Sequence, residues 1–203
     1  MLFPLKALGM CLAAAVLVLS PAEPARAQVT PPAEPPTHTA PPPAQPEQNT
    51  DVFGEEMTLA EKAIIYMNGT ANWDSAFETL IDAFKQVHTY LDRQGLKASG
   101  PSMTIYTSTD DTGFTFQAAV PVTEEPRNPP RGDLAVGKSP AGRALKFVHR
   151  GSYDSMDSTY EAITNHLDEK RLEAKDLFIE EYATDPVTTP EDQLVINVIV
   201  PIK

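Results

Sequence analysis

Phe178, Glu180 and Tyr182 stand two residues apart in a strand-like run from Leu177 to Tyr182 that ends in a turn at Asp185-Pro186. Side chains alternate between the faces of a strand, so these three share one face, and Leu177, Ile179 and Glu181 take the other. A carboxylate set between two aromatic rings is poorly hydrated, which disfavours its charged form and raises its pKa. A bound cation relieves that penalty, and each aromatic face beside it attracts the same cation by roughly 0.5–2 kcal/mol. Lipophilic cations and amines are the ligands this strand face suits. The competing reading is a Glu180 that is exposed, or neutralised by Lys146 or Arg143 from a neighbouring strand.

Other chemistries find less in the chain. The lone cysteine, Cys11, lies in an N-terminal apolar run, so the remainder offers no disulfide, thiolate metal site or cysteine nucleophile. His38, His88, His149 and His166 have no ligand spacing, and no His-Glu-x-x-His or Asp-x-Asp-x-Asp-Gly pattern exists, so no metal or cofactor is expected. Asp110-Asp111 reads as a solvated turn. Gly-x-Ser-x-Gly and glycine-rich phosphate loops are absent. The formal charge of −12 argues against a nucleic-acid partner and tilts the field towards cations, although solubility alone explains it equally well.

Two similar units must position these residues. In the first, Lys62 to Met67 makes a strand. Trp73, Ala76, Phe77, Leu80, Ile81, Phe84, Val87 and Leu91 then recur at helical spacing, with Thr70 or Asn72 as N-cap and Gly95 as the stop. Met103–Thr107 and Phe114–Val122 are strands joined around Asp110-Asp111-Thr112-Gly113. In the second, Arg143–Arg150 is a strand, and Met156, Tyr160, Ile163 and Leu167 stripe a shorter helix. Strands at 177–182 and 194–202 close the chain; Val195 to Val200 is apolar on both faces except at Asn197, as expected near a sheet centre. Three echoes occur in the same order. Gly69-Thr70 with Trp73-Asp74-Ser75 matches Gly151-Ser152 with Met156-Asp157-Ser158; Tyr106 to Asp110 matches Tyr182 to Asp185; Val120-Pro121-Val122 matches Val200-Pro201-Ile202. Two copies of one unit predict a pseudo-symmetric domain, since neither copy buries its apolar face alone. Tyr106 becomes the counterpart of Tyr182, and Thr104 that of Glu180. A proline-rich segment, 123–142, is expected to be a crossover loop between the repeats.

Lys146-Phe147-Val148-His149-Arg150-Gly151-Ser152-Tyr153, the helix from Met156, Glu180-x-Tyr182 with Asp185-Pro186, and the closing Val200-Pro201-Ile202 resemble the GyrI-like small-molecule-binding domain, also called the AraC-type effector-binding domain. The resemblance covers residues 56–203, with repeat one at 56–122 and repeat two at 143–203. It implies an α+β fold: two pseudo-symmetric β-α-β-β repeats forming one antiparallel sheet, with two helices on one face and a ligand groove on the other. In that family the glutamate of Glu-x-Tyr lies at the base of the groove, which places Glu180 there. Tyr182, Phe178, Tyr106, Tyr153 and Phe147 are the candidate lining residues, whereas Trp73 is expected to pack on the sheet. The function so implied is small-molecule binding, with cationic or amphipathic aromatic molecules as the expected ligands, for sequestering or sensing. The alternative is a hydrolase of strained cyclopropane-type compounds, with Glu180 and Tyr182 as its acid–base pair.

Residues 1–27 read as a cleavable secretory signal, with Lys6 before an apolar run from Leu8 to Leu19 and Ala25-Arg26-Ala27 before Gln28. The run is short for a membrane span. Residues 28–55 read as a proline-rich disordered linker. The expectation is an exported, periplasmic, monomeric binding module without a transmembrane span in its mature chain.

Overall fold

The computed structural model describes residues 53–203; the expected signal and nearly all of the linker lie outside the described residues. In chain order the elements are β1 (Glu55–Leu59), β2 (Ala63–Asn72), α1 (Ala76–Gln94), β3 (Met103–Thr109), β4 (Gly113–Pro121), β5 (Leu134–Lys138), β6 (Gly142–Arg150), α2 (Met156–Lys170), β7 (Phe178–Tyr182) and β8 (Val195–Pro201). Single 3₁₀ turns, Trp73–Ser75 and Tyr153–Ser155, lead into the two helices. The strands form one antiparallel sheet in the order β1-β6-β8-β7-β3-β4-β2-β5. This is the expected α+β class, with eight strands where the two repeats alone supply six.

The pairing registers define the internal symmetry. Ile65 opposite Val120 corresponds to Leu145 opposite Val200, and Thr104 opposite Ala118 corresponds to Glu180 opposite Val198. Tyr106 and Tyr182 are therefore counterparts, as the sequence suggests. Thr104 sits directly opposite Glu180, its own counterpart, so the pseudo-two-fold axis runs through that pair. One echo is corrected. Trp73-Asp74-Ser75 matches Tyr153-Asp154-Ser155, the other 3₁₀ turn, and not Met156-Asp157-Ser158. Backbone register carried along β2 and β6 fixes this. In both turns a polar side chain caps the start: the Ser75 N–H donates to Asn72 Oδ1 at 3.1 Å, and the Asp154 N–H to Ser152 Oγ at 3.3 Å.

The outer strands are exchanged between repeats. β1 stands at the start of repeat one but pairs with β6, whereas β5, just before repeat two, pairs with β2. The crossover segment 123–142 is thus not wholly a loop, since it contains β5. Each exchange needs a connection across a sheet face. The helices cover one face, so both connections cross the other, where they meet. The Lys62 N–H donates to Ser139 Oγ at 3.0 Å, and the Ser139 N–H to the Lys62 carbonyl at 2.9 Å. Beneath them lie Ile64, Met103, Ile105, Ile179 and Ile199. The groove expected on the face opposite the helices lies instead on the helical face, and among the described residues a cleft of about 20 Å³ sits beside Lys62 and Pro140.

On the helical face, Leu80, Ala83 and Phe84 of α1 and Met156 and Ile163 of α2 pack on Phe116, Leu145, Ile196, Val198 and Val200. Each large apolar side chain buried here contributes about 1.5–3 kcal/mol. α1 buries a full stripe and ends at Gly95, whose φ of 69° suits glycine. α2 fully buries only Met156 and Ile163, and the inward position between them is Tyr160.

Candidate ligand-binding groove

Four tyrosine hydroxyls converge on the Glu180 carboxylate. Tyr106 on β3, Tyr182 on β7 and Tyr153 on the 3₁₀ turn before α2 donate to Oε2, at 2.9, 3.1 and 3.3 Å. Tyr160 on α2 donates to Oε1 at 2.7 Å. The Tyr106 and Tyr153 hydroxyls are 2.7 Å apart, and the Thr104 hydroxyl lies 3.4 Å from that of Tyr182. Strand alternation explains the convergence: Thr104 and Tyr106 share a face with Phe178, Glu180 and Tyr182, since Thr104 pairs with Glu180 and Tyr106 with Phe178.

Glu180 is 1% exposed. Burial raises its pKa above the usual carboxylate range, and the phenol hydrogen bonds pull it part of the way back. Burial, and then the nearby Glu180 charge, hold Tyr106, Tyr153, Tyr160 and Tyr182 well above the ordinary phenol pKa. These hydroxyls therefore stay protonated and act as donors. The carboxylate charge is met by phenols rather than by a cation. Lys146 and Arg143, the neutralising partners considered from sequence, instead pair with Glu55 and Glu56 of β1.

A groove of about 860 Å³ opens above this floor on the helical face. Its walls are Trp73, Tyr106, Tyr153, Tyr160 and Phe178, and Tyr106 stacks on Phe178 with ring centroids 4.4 Å apart. Asp74, Asp110, Asp111, Asp154 and Asp157 line it as well, beside Ala76, Thr109 and Met156, with no Lys, Arg or His among the lining residues. Local structure accounts for several of these carboxylates. Asp74, Asp154 and Asp157 stand at helix N-termini, where the backbone dipole favours negative charge. Asp110 closes a turn by accepting from the Thr112 hydroxyl at 2.6 Å and from the Thr112 and Gly113 N–H groups at 2.7 and 3.0 Å, which together lower its pKa. Their sum is a negative potential over an aromatic cavity with a buried acid at its base.

A family model described as the GyrI-like small molecule binding domain matches residues 55–203. The chain belongs to this family. Among solved structures, it resembles the EcmrR C-terminal domain at a TM-score of 0.62 and 15% identity, over 74% of this chain and 96% of that one. Against EcmrR in its DNA complex the TM-score is 0.64 at 15% identity, over 74% of this chain, and the match spans 57% of that protein's length. SAV2435 bound to tetraphenylphosphonium matches at a TM-score of 0.51 and 12% identity, over 75% of this chain and 94% of that one. A hydrolase encoded by lin2189 from Listeria innocua matches at 0.50 and 12%, over 74% and 92%. At these identities the likeness is one of fold. No curated protein matches the chain.

In this GyrI-like domain, four of the six residues singled out from sequence meet in the groove: Glu180, Phe178, Tyr106 and Tyr153. Tyr182 is buried behind the carboxylate and orients it while packing edge-on against Phe84 at 5.3 Å. Phe147 is not part of the groove. It is fully buried, with Phe53 and His166 as ring neighbours at 4.9 and 5.6 Å. Tyr160 was legible only as a member of the α2 stripe. The clue was its phenol, since an inward tyrosine needs a polar partner. Trp73 does touch the sheet, at Phe114, 4.8 Å between centroids, but it is 45% exposed at the groove mouth. Among the described residues no group of His, Cys, Asp and Glu forms a metal site, and no helix is long and apolar enough to cross a membrane.

Proposed function

We propose that this GyrI-like domain binds small lipophilic cations, with Glu180 as the counter-charge and Tyr106, Tyr153, Tyr160 and Phe178 as the aromatic walls. The observation that carries this reading is a fully buried carboxylate, held by phenols alone, under a groove that no basic side chain lines. A cation entering this groove displaces no ion pair, and its charge is met in a desolvated site where the attraction is strong. SAV2435, of the same fold, is bound to tetraphenylphosphonium, which makes that cation the natural probe. The module acts by sequestering or sensing its ligand, as an exported, periplasmic monomer without a nucleic-acid partner. Calorimetric titration with tetraphenylphosphonium tests the ligand class. Saturable one-site binding that weakens on acidification supports it, and absence of binding refutes it.

A second reading, hydrolysis of strained cyclopropane-type electrophiles, draws on the raised Glu180 pKa beside groove phenols, an arrangement fit for acid–base chemistry. The binding reading is preferred because the phenol protons are already committed to the carboxylate. Product formation from a ring-strained alkylator, lost in Glu180→Gln, reverses that preference.

A further inference from the structure

The two counterpart positions at the helix entrances have diverged. Tyr153 turns inward, with its hydroxyl on the Glu180 carboxylate and its ring stacked on Phe77 at 5.0 Å. Trp73, at the same place in repeat one, turns outward. Its indole N–H donates to the Asp110 carbonyl at 2.9 Å and its ring leans on Phe114, so an exposed indole is pinned at the mouth of the groove. Asp74 adjoins it in the chain, and Asp111 follows its hydrogen-bond partner; both are exposed and both line the cavity. Indole is the strongest cation–π partner among the side chains. Removing about 45% of a tryptophan's surface from the core gains the fold nothing, so the pinned ring is available to a ligand.

We propose that the groove has two cation stations, the Glu180 floor and the Trp73 mouth, and that its preferred ligands are elongated molecules bearing two positive charges. This rests on the reading of Glu180 as the counter-charge and names the ligand class within it. The first charge sits under the tyrosines and the second between the indole face and the Asp74 and Asp111 carboxylates, with an apolar spacer along Phe178 and Tyr106.

Decane-1,10-bis(trimethylammonium) and decyltrimethylammonium share a spacer and differ by one terminal charge. That charge replaces an apolar end, so tighter binding of the bis-cation reports the second station and not hydrophobicity. By calorimetry on the intact domain, the bis-cation is expected to bind about tenfold tighter. In Asp74→Asn/Asp111→Asn that ratio falls to about one to three. In Asp92→Asn/Glu169→Gln, which removes the same charge from exposed helix positions outside the groove, the ratio persists. A ratio near one in the unmodified protein, its survival in Asp74→Asn/Asp111→Asn, or its equal loss in Asp92→Asn/Glu169→Gln overturns the proposal. Tetraphenylphosphonium, a single charge, separates the two levels. If it binds while the ratio is near one, the second station alone fails; if it does not bind, the Glu180 reading fails as well.

Discussion

Replacing Glu180 by Gln removes one charge while keeping the side chain's shape, and the site allows its effect to be worked out. A cationic centre about 4–5 Å from a carboxylate interacts by roughly 3–4 kcal/mol at the effective dielectric suited to protein sites. The remaining amide dipole and the easier desolvation of a neutral side chain return part of this, leaving a loss of about 2–3 kcal/mol, or about 30- to 150-fold in affinity. Folding responds differently. The amide oxygen still accepts from Tyr106, Tyr153 and Tyr182, which all address Oε2, and the Tyr160 hydroxyl can rotate to accept from the amide N–H. Removing a buried charge meanwhile relieves its desolvation. The two effects oppose each other, so the melting temperature shifts by no more than a few degrees, equivalent to about 1 kcal/mol. The assay is calorimetric titration with tetraphenylphosphonium beside a thermal melt. Glu181→Gln serves as control, since Glu181 lies on the other face and pairs with Lys62 at 3.5 Å. A Glu180→Gln protein that folds and binds within about threefold of the unmodified one refutes the counter-charge argument.

Three further outcomes follow from the same geometry. Burial raises the folded-state pKa of Glu180 above the ordinary 4.5, so between those two values the folded protein holds a proton that the unfolded chain has released. Stability relative to Glu180→Gln then falls as pH rises through that window and levels off above it; parallel denaturant midpoints across it contradict the burial argument. Tyr160→Phe removes the 2.7 Å donor to Oε1. It is expected to cost about 1.5–3 kcal/mol of stability above the folded-state pKa. The loss shrinks on acidification, and urea unfolding at two pH values reads the difference. Ser139→Ala removes the side-chain bond between the two crossovers, keeps the backbone one and costs about 1 kcal/mol, with tetraphenylphosphonium affinity unchanged because the clasp lies on the opposite sheet face; a change in affinity above about threefold counts against that placement.

The alternation Phe178-x-Glu180-x-Tyr182 sufficed to place a carboxylate between aromatics, because strand periodicity is local and its partner strand only confirms it. The α1 stripe from Leu80 to Leu91 was legible for the same reason. What escaped depends on tertiary facts. Leu134 to Lys138 is short and flanked by glycine and proline, and only pairing with β2 makes it a strand. The side of the sheet that holds the groove follows from the exchanged edge strands, whose connections occupy the face that the resemblance assigned to ligand. The misaligned echo arose because Asp-Ser occurs twice, at Asp154-Ser155 and Asp157-Ser158, and only the register along β6 chooses between them. Phe147 has the composition of a wall residue, yet β6 lies beyond β8 from Glu180. It is therefore covered by Phe53, which precedes the first strand, a neighbour that periodicity does not reveal.

The position of Glu180 on the symmetry axis explains why a doubled scaffold carries a single acid. A residue on the axis faces its own counterpart, with Cβ atoms about 4.5–5.5 Å apart in an antiparallel pair. Two glutamates there would place two buried carboxylates side by side, and like charges in such a site cannot both ionise. Thr104 occupies the second place, is fully buried, and offers its hydroxyl to Tyr182 instead. The off-axis positions keep their symmetry: Tyr106 and Tyr182, one from each repeat, donate to the same carboxylate oxygen from opposite sides. Symmetry thus supplies donors in pairs, and its breaking at the axis leaves one charge for them to hold. The difference between Trp73 and Tyr153 follows the same logic one shell further out. Once a single carboxylate sits between the helices, one inward aromatic, Tyr153, completes its shell, and the counterpart has no second acid to address.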